Sequence, residues 1–396
     1  EVNDTSTATS ATPLSNTGFN MTSANWNDSD HDVLRAAVCT TVSTTAGSDC
    51  EDRMLWLLGK KIVTDADNDI NTTQRWSTND VLHSSPAVIT YGGEDDDNDG
   101  IPSEAEDSDG LISTFYDKIL FGTNDGALHM VNGFDGTEDW RFIPSEFWTN
   151  QQTMFTNPEG SHVYGLDLTP TLYNVDHDSD GTIETADSDF VYAYMGSRRG
   201  GKGLYALNLT DDITSKTDTL APKLMWHIKG GVTSGYSRMG YTWSQPTLAD
   251  IATTTGNKKV LIFGGGYDTA LDSTSVFAPA DNAGNDFLGN AIYIVDPLDG
   301  SLIFSVSGTG SGANVIIPDM HYSIPSSVSV ADSNGDGIDD RVYVGDTGGQ
   351  VWRIDLGSDI QQSGGLLSTA LCLAPCTKTV IGKLASIADG SDSSKE

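Results

Sequence analysis

The chain has 396 residues and a formal net charge of −35, with 56 acidic residues against 21 lysines and arginines. So large an acidic excess argues against nucleic acid and anionic membranes as partners, although a surface adapted to salty water would have a similar composition. No stretch approaches the ~20 consecutive apolar residues that a membrane span needs. Because position 1 is Glu rather than Met, we interpret the chain as a processed or excerpted segment.

Residues 1–80 are predicted to be a lead-in or linker with one short helix. Residues 1–30 are rich in Ser, Thr, Asn and Asp and show almost no periodicity. The helix is expected over residues 52–58, where an apolar run ends at Gly59, a plausible C-cap.

The four cysteines form two local pairs, Cys39 with Cys50 and Cys372 with Cys376. A zinc site would need His or further Cys nearby, and neither loop supplies them. The sequence therefore favours two disulfides over free thiols, and with them an oxidising compartment.

A repeated pattern of short strands occupies residues 81–396. Proline-marked strand starts occur at Pro86, Pro170, Pro246 and Pro325, at spacings of 84, 76 and 79 residues. Each Pro is followed by a short apolar strand, a polar loop, a run that ends in Gly, and a further strand. A fixed period of this kind predicts an all-β fold, a modified β-propeller with four visible blades and long loop insertions. Because a fifth start would fall beyond the last residue, we expect a propeller truncated at the C terminus rather than four blades that close alone.

Three of the long loops have the ligand spacing typical of calcium sites. In that pattern oxygen-bearing side chains alternate at positions 1, 3 and 5, Gly at position 6 allows a sharp turn, a backbone carbonyl serves at position 7, and acids follow at positions 9 or 12. The first loop places at these ligand positions Asp95, Asp97, Asp99, Ile101, Ser103 and Glu106. The second places there Asp176, Asp178, Asp180, Thr182, Glu184 and Asp187. The third has Asp332, Asn334, Asp336, Ile338 and Asp340, with Asp340 as its terminal acid.

The alternative for each loop is a solvated, Asp- and Gly-rich turn that binds no metal. We favour that alternative for a fourth pattern, which begins with Asp65, Asp67 and Asp69, because Ile70 replaces the Gly and no acid follows. Catalysis has little support, since the histidines beside the strands have no Ser, Cys or carboxylate at motif spacing. They are His83, His129, His162 and His321.

Several runs resemble the propeller of the type IV pilus assembly and tip adhesin family (the PilC/PilY type). They are Leu82–Pro86, Phe121–His129, Trp140–Glu146 and, most specifically, Asp332–Arg353. The resemblance implies a modified C-terminal propeller at the pilus tip or cell surface, with calcium in its loop linked to pilus extension and retraction. Carried over by position, Asp332, Asn334, Asp336 and Asp340 are side-chain ligands and Ile338 a carbonyl ligand.

This chain also departs from the family pattern. The loops 95–106 and 176–187 are not part of the pattern in every member, and no Arg-Gly-Asp tripeptide is present. Its expected partners are pilin or minor pilin subunits, with a host or abiotic surface as a further contact.

The prediction is a non-enzymatic, extracellular calcium-binding propeller of a pilus-tip adhesin and biogenesis factor, which regulates pilus extension, retraction and surface attachment. Two alternatives remain open. One is a quinone-cofactor dehydrogenase, because the turn from Asp135 to Trp140 has the Asp-Gly-x-x-x-Trp pattern of those propellers. The other is a structural surface protein that calcium stabilises.

Overall fold

A computed structural model describes most of the repeat region and part of the lead-in. The described residues are 27, 32–46, 48–57, 80–93, 115–272, 287–358, 366–367 and 379–386. The loop 95–106, the pattern that begins at Asp65 and the pair Cys372 and Cys376 lie outside these ranges.

Four β-sheets follow one another along the chain, and each contains one of the four repeats. The first blade comprises β1 (Ala87–Gly93), β2 (Phe115–Gly122), β3 (Leu128–Asn132) and β4 (Glu138–Phe142). The second comprises β5 (Thr171–Val175), β6 (Phe190–Gly196), β7 (Gly203–Asn208) and β8 (Lys223–Lys229). In both, neighbouring strands pair antiparallel in chain order.

The third and fourth blades each have one short parallel strand in addition to four antiparallel strands. The third comprises β9 (Thr247–Thr253), β10 (Gly256–Gly264), β11 (Ala291–Val295), β12 (Leu302–Ser307) and the parallel strand β13 (Val315–Ile316). The fourth comprises β14 (Ser329–Ala331), β15 (Arg341–Gly345), β16 (Gln350–Asp355), the parallel strand β17 (Leu366–Leu367) and β18 (Val380–Ser386). The predicted strand at 326–328 is wrong in position, because pairing with β15 begins only at Ser329.

The hydrophobic cores lie between successive blades. Along β6, Ala193 packs toward the first blade while its neighbour Tyr194 packs toward the third. Along β10, Leu261 packs toward the second blade while Ile262 packs toward the fourth. This alternation follows from the two-residue period of a strand. Each fully buried Ile or Leu contributes about 1.5–3 kcal/mol, so every interface between blades stabilises the array.

Hydrogen bonds between residues one repeat apart join the starts of the first strands. Thr171 Oγ1 donates to the Pro246 carbonyl oxygen at 2.8 Å, and Thr247 Oγ1 donates to the Val328 carbonyl oxygen at 3.2 Å. Residues of β1, β5 and β9, together with Ser327, line a common cavity of about 500 Å³. The first strands therefore lie around the centre of the array.

The described part of the lead-in contains two helices rather than the single helix expected. They are α1 (Asp32–Val38) and α2 (Asp49–Leu57). The second helix begins earlier than predicted because Ser48 caps it: Ser48 Oγ accepts a hydrogen bond from the Glu51 N–H at 3.3 Å. A disulfide joins Cys39 to Cys50, which confirms the first predicted pair.

A third helix, α3 (Asn150–Thr156), follows the first blade, and the lead-in helices pack close to it. Arg53 of α2 lies 4.7 Å above the centroid of the Phe155 ring of α3. No helix among the described residues is long and apolar enough to cross a bilayer.

Candidate calcium loops

Two of the predicted calcium loops lie at equivalent places in the fold. Residues 176–189 connect the first and second strands of the second blade, and residues 332–340 connect those of the fourth. The same connection in the third blade is a tight turn between Thr253 and Gly256 without acidic residues. The two acidic loops are therefore insertions at one kind of position, on the same side of the array.

The loop 332–340 folds around its first carboxylate. Asp332 Oδ1 accepts the Gly335 N–H at 2.7 Å and Oδ2 accepts the Gly337 N–H at 2.8 Å. These backbone donors, that of Gly337 above all, lower the pKa of Asp332. Asp336 Oδ1 accepts the Ile338 N–H at 2.9 Å. The carboxylate at position 1 is thereby ionised and held at the centre of the turn.

The loop 176–189 repeats this arrangement with different residues. Asp176 Oδ1 accepts the Ser179 N–H at 2.7 Å, and Oδ2 accepts the Gly181 N–H at 2.9 Å. Asp180 Oδ1 accepts the Thr182 N–H at 2.8 Å.

The backbone angles also agree between the two loops. The φ values at position 4 are 63° for Ser179 and 78° for Gly335, and those at position 6 are 84° for Gly181 and 86° for Gly337. The two loops thus form the same turn despite their different sequences, and this turn requires the Gly at position 6.

Each loop is closed by a buried Asp that directly precedes the second strand of its blade. Asp340 accepts the Ser333 N–H at 3.2 Å and the Ser333 hydroxyl at 2.9 Å. Asp189 accepts the His177 N–H at 2.8 Å and the Glu184 N–H at 3.0 Å. Those two backbone donors, that of His177 first, lower the pKa of Asp189.

Three carboxylates of the loop 176–189 come close enough to share one cation. Oxygen atoms of Asp176, Asp178 and Asp189 all lie within 4.8 Å of one another. Oxygens that bind one calcium ion at 2.3–2.6 Å have separations of this size. Loss of solvation, the charges of Asp180 and Asp187 and a hydrogen bond with Asp176 raise the pKa of Asp178, so its neighbours oppose a further negative charge here.

The predicted ligands Asp180, Thr182, Glu184 and Asp187 are not part of this trio. A hydrogen bond with Asp187, followed by loss of solvation, raises the pKa of Glu184, which places these two side chains beside each other. The sequence template ended at position 12 and therefore missed Asp189. An acid directly before the next strand, as at Asp340, was the signal that could have found it.

The loop 332–340 brings its predicted ligands into one turn but spaces them more widely. Asn334 Oδ1 accepts the Asp336 N–H at 2.9 Å, and Asn334 Nδ2 donates to Asp336 Oδ2 at 3.0 Å. Within the described ranges, its acids form no trio as tight as that of the other loop. Its donor set of carboxylate, amide and carbonyl oxygens is nevertheless the kind that calcium prefers.

Both loops are hydrogen-bonded to the first strand of the preceding blade. The Ile183 N–H donates to the Tyr91 carbonyl oxygen at 2.9 Å, and the Asp339 N–H donates to the Asp250 carbonyl oxygen at 2.7 Å. The second contact is reciprocal, because the Asp250 N–H donates to Asp339 Oδ2 at 3.0 Å. Each loop therefore bridges two blades.

One series of side chains in the first blade has the order of a hydrolase triad. His129 Nε2 lies 3.0 Å from Thr123 Oγ1, and His129 Nδ1 lies 2.5 Å from Glu138 Oε1. Thr123 is fully buried, however, and its hydroxyl also bonds to Asp125. A substrate cannot reach this hydroxyl, so the network is structural, as expected for a packed histidine.

Comparison with known proteins identifies the family. Residues 110–367 match the model of the PilY1 beta-propeller domain. A type IV pilus biogenesis factor PilY1 of Pseudomonas aeruginosa (strain UCBPP-PA14) is 30% identical over 291 residues, which cover 70% of this chain and 21% of that protein. A PilY1 homolog of Xylella fastidiosa is 27% identical over 296 residues, which cover 72% of this chain and 18% of that protein.

The crystal structure of the Pseudomonas aeruginosa PilY1 C-terminal domain is 29% identical, with a TM-score of 0.38, over 61% of this chain and 38% of that one. The chain spans about a fifth of the length of the curated relatives above. These relatives are named as pilus biogenesis factors and not as enzymes, in agreement with the prediction of a non-enzymatic protein. The match to the family model covers well over half of the chain, which therefore belongs to the PilY1 β-propeller domain family.

Proposed function

We propose that this chain is a calcium-binding propeller of a pilus-associated biogenesis factor, exposed at the cell surface or pilus tip. The observation that carries the proposal is the shared geometry of the loops 176–189 and 332–340, each of which bridges two blades. Family membership supports the pilus context, since the relatives are named type IV pilus biogenesis factors. The expected partners are pilin or minor pilin subunits, with host or abiotic surfaces as further contacts.

The proposed ligands follow from the loop geometry. Asp176, Asp178 and Asp189 would hold one ion, and the loop 332–340 would hold another through Asp332, Asn334, Asp336, Asp340 and the Ile338 carbonyl. A bound cation would supply positive charge where the carboxylates repel one another. The loop 95–106 remains a third proposed site, which lies outside the described residues.

The proposed mechanism is mechanical rather than catalytic. Because each loop contacts the first strand of the preceding blade, filling the loop would tie that blade to its neighbour. Sites of extracellular modules bind calcium in the ~10⁻⁴–10⁻³ M range, so their occupancy would follow the calcium level outside the cell. We infer that the occupied form favours one of the two directions of pilus movement.

The test is the double variant Asp332→Ala, Asp336→Ala in the parent bacterium. We expect loss of one calcium ion per chain by calorimetry and a changed number of surface pili or a changed rate of twitching, with the protein still exported. If piliation and motility stayed normal although the loss of calcium was confirmed, calcium would only stabilise the fold. That outcome would support the alternative of a structural surface protein.

A further inference from the structure

The turn between β6 and β7 carries a charge opposite to that of the rest of the molecule. Its sequence, Ser197–Lys202, contains three cations in a chain whose net charge is −35. The equivalent turns between the second and third strands of the first and fourth blades carry Asp125 and Asp346 instead. A local reversal of this kind points to a specific use of positive charge in the second blade.

The backbone of this turn is held in place on both sides. The Ser197 and Arg198 N–H groups donate to Thr242 Oγ1 at 2.8 and 3.2 Å. A Cβ on Gly200 would overlap the carbonyl oxygen of Gly165, so the two segments are in close contact. Arg198 has φ 49°, which a non-glycine residue adopts only when its surroundings impose it. The backbone that carries the side chains of residues 198 and 199 is thus held in one conformation.

The charge of Arg198 is already compensated within the fold. Its guanidinium lies 4.7 Å above the Trp243 ring, and Nη1 donates to Asp167 Oδ2 at 3.3 Å. Asp167 is fully buried and also bonds to His83. Arg198 therefore fixes the position of Trp243 and has a structural function.

Arg199, in contrast, is exposed and has no carboxylate partner among the residues that the structure describes. Its Cζ lies 5.4 Å from the ring centroids of both Tyr164 and Trp243, and Nη1 donates to the Tyr164 hydroxyl at 3.4 Å. Of the five N–H donors of a guanidinium, this bond uses one. A guanidinium that rests on aromatic rings keeps its edge free for a planar, two-pronged bond to a carboxylate.

The groups around Arg199 limit which chemical group a partner can present to it. The Trp243 ring is already covered by the two guanidinium groups and by Tyr267, whose ring is stacked on it at 4.8 Å. These three groups crowd the Trp243 ring and disfavour the stacking of a sugar on it. The net charge of −35 would in turn repel a highly acidic partner. A single carboxylate in uncharged surroundings avoids both difficulties.

We propose that Arg199, held by Tyr164 and Trp243, binds one Glu or Asp side chain in an otherwise uncharged segment of another protein. This site lies at the opposite end of β6 from the loop 176–189 and does not depend on calcium in that loop. It gives the second blade a protein-docking surface at a turn where the first and fourth blades carry an Asp instead.

The probe is a ¹⁵N-labelled peptide in which one Glu is flanked on both sides by Gly, with capped ends, and the same peptide with Gln as its control. Each is titrated with the whole chain in millimolar calcium and physiological salt while the peptide amide shifts are followed by NMR. We expect saturable shifts for the Glu peptide only. Arg199→Gln should weaken binding about tenfold, and Arg199→Lys should give an intermediate loss because it keeps the charge without the planar fork.

The matched control is Lys223→Gln, which removes one positive charge from an exposed position of the same blade and should leave binding unchanged. The calcium variant Asp332→Ala, Asp336→Ala should also bind normally, so failure of one proposal does not imply failure of the other. Equal shifts with both peptides, or unchanged affinity in Arg199→Gln, would overturn the proposal. Binding of a galacturonate oligosaccharide but not of the Glu peptide would overturn it as well, in favour of an acidic sugar.

Discussion

The loops 176–189 and 332–340 have the same first half and different second halves. In both, the first Asp accepts N–H groups from positions 4 and 6, and the carboxylate at position 5 accepts the N–H at position 7. After position 6 the second-blade loop is five residues longer. The half of the loop that carries the proposed ligands at positions 1 and 3 is therefore fixed, whereas the half that returns to the next strand is variable.

The longer second half of the loop 176–189 is stabilised by contacts of its own. Residues Thr185–Asp187 form a 3₁₀ turn, and the Thr185 N–H donates to Asp212 Oδ1 at 2.7 Å. Both loops end in the same way, at a buried Asp directly before the strand. A spacing template finds the fixed half, but only the fold shows which acid closes the site.

Calcium removal is the largest perturbation that this comparison predicts. Ligand binding to the folded form alone adds about 2.7 kcal/mol per site at a hundredfold excess over Kd. Starting from calcium at that hundredfold excess, chelation should lower the free energy of unfolding by about 5 kcal/mol for the two described loops together. Thermal unfolding with and without chelator measures the effect, with magnesium as the control cation. An unchanged melting temperature would show that neither loop stabilises the fold through calcium.

The closing residue of the second-blade loop can be tested by a pair of variants. Asp189→Asn should weaken calcium binding at this loop by about tenfold or more, because ligand charge sets the affinity of such sites. Asp187→Asn should have a smaller effect, since Asp187 is not one of the three clustered carboxylates. Calorimetry on both variants measures the difference. If Asp187→Asn weakened calcium binding more than Asp189→Asn, the closing ligand would be at position 12, as the ligand spacing in the sequence predicts.

A reciprocal exchange at position 4 tests the shared turn itself. Ser179 and Gly335 both have positive φ, which costs a non-glycine residue about 1 kcal/mol. Ser179→Gly should therefore stabilise the fold and Gly335→Ser should destabilise it, each by about 1 kcal/mol. No atom lies within 4 Å of a Cβ built on Gly335, so steric overlap does not enter. Denaturant unfolding checks the signs, and two changes in the same direction would refute the equivalence.

A smaller effect is the pH dependence of stability, which we expect to come from His129 in the first blade and not from calcium binding. Burial alone would lower the pKa of His129, but the nearby Asp125 carboxylate and the hydrogen bond with Glu138 outweigh it and raise that pKa above 6.5. Since the folded-state pKa is the higher one, the stabilisation is complete below pH 6.5 and is lost as the pH rises through the folded-state value. Arg141, which pairs with Glu138, is a third charged group nearby.

The measurement is the free energy of unfolding across this pH range, in the presence of chelator, for the native chain and His129→Gln. We expect the native chain to lose stability relative to the variant as the pH rises. Parallel pH profiles for the two proteins would show that His129 does not titrate in this way.

Much of the fold could be predicted from the sequence because the repeats carry local signals. The runs that end at Gly122, Gly196, Gly264 and Gly345 all form the second strand of a blade. The fourth first strand was misplaced because it was predicted directly after Pro325, as in the other repeats, whereas pairing with β15 begins only at Ser329. The number of blades in the full-length protein and the truncation remain predictions.

The site was only partly predictable, for a physical reason. Ligand spacing in the first half of each loop depends on local backbone geometry, which the residues encode directly. Asp189 joins Asp176 through the start of β6, and the contacts with Tyr91 and Asp250 depend on a neighbouring blade. The charge-reversed turn at Arg199 was not singled out either, since its aromatic neighbours come from segments far away in the chain.

Hydrogen exchange measures whether calcium fixes the two loops against their neighbouring blades. The amides to follow are those of Ile183 and Asp339, which donate to Tyr91 and Asp250. Calcium should slow exchange at both amides while leaving the tight turn at Gly256 unchanged. Equal exchange at Ile183 and Asp339 with and without calcium would contradict the account.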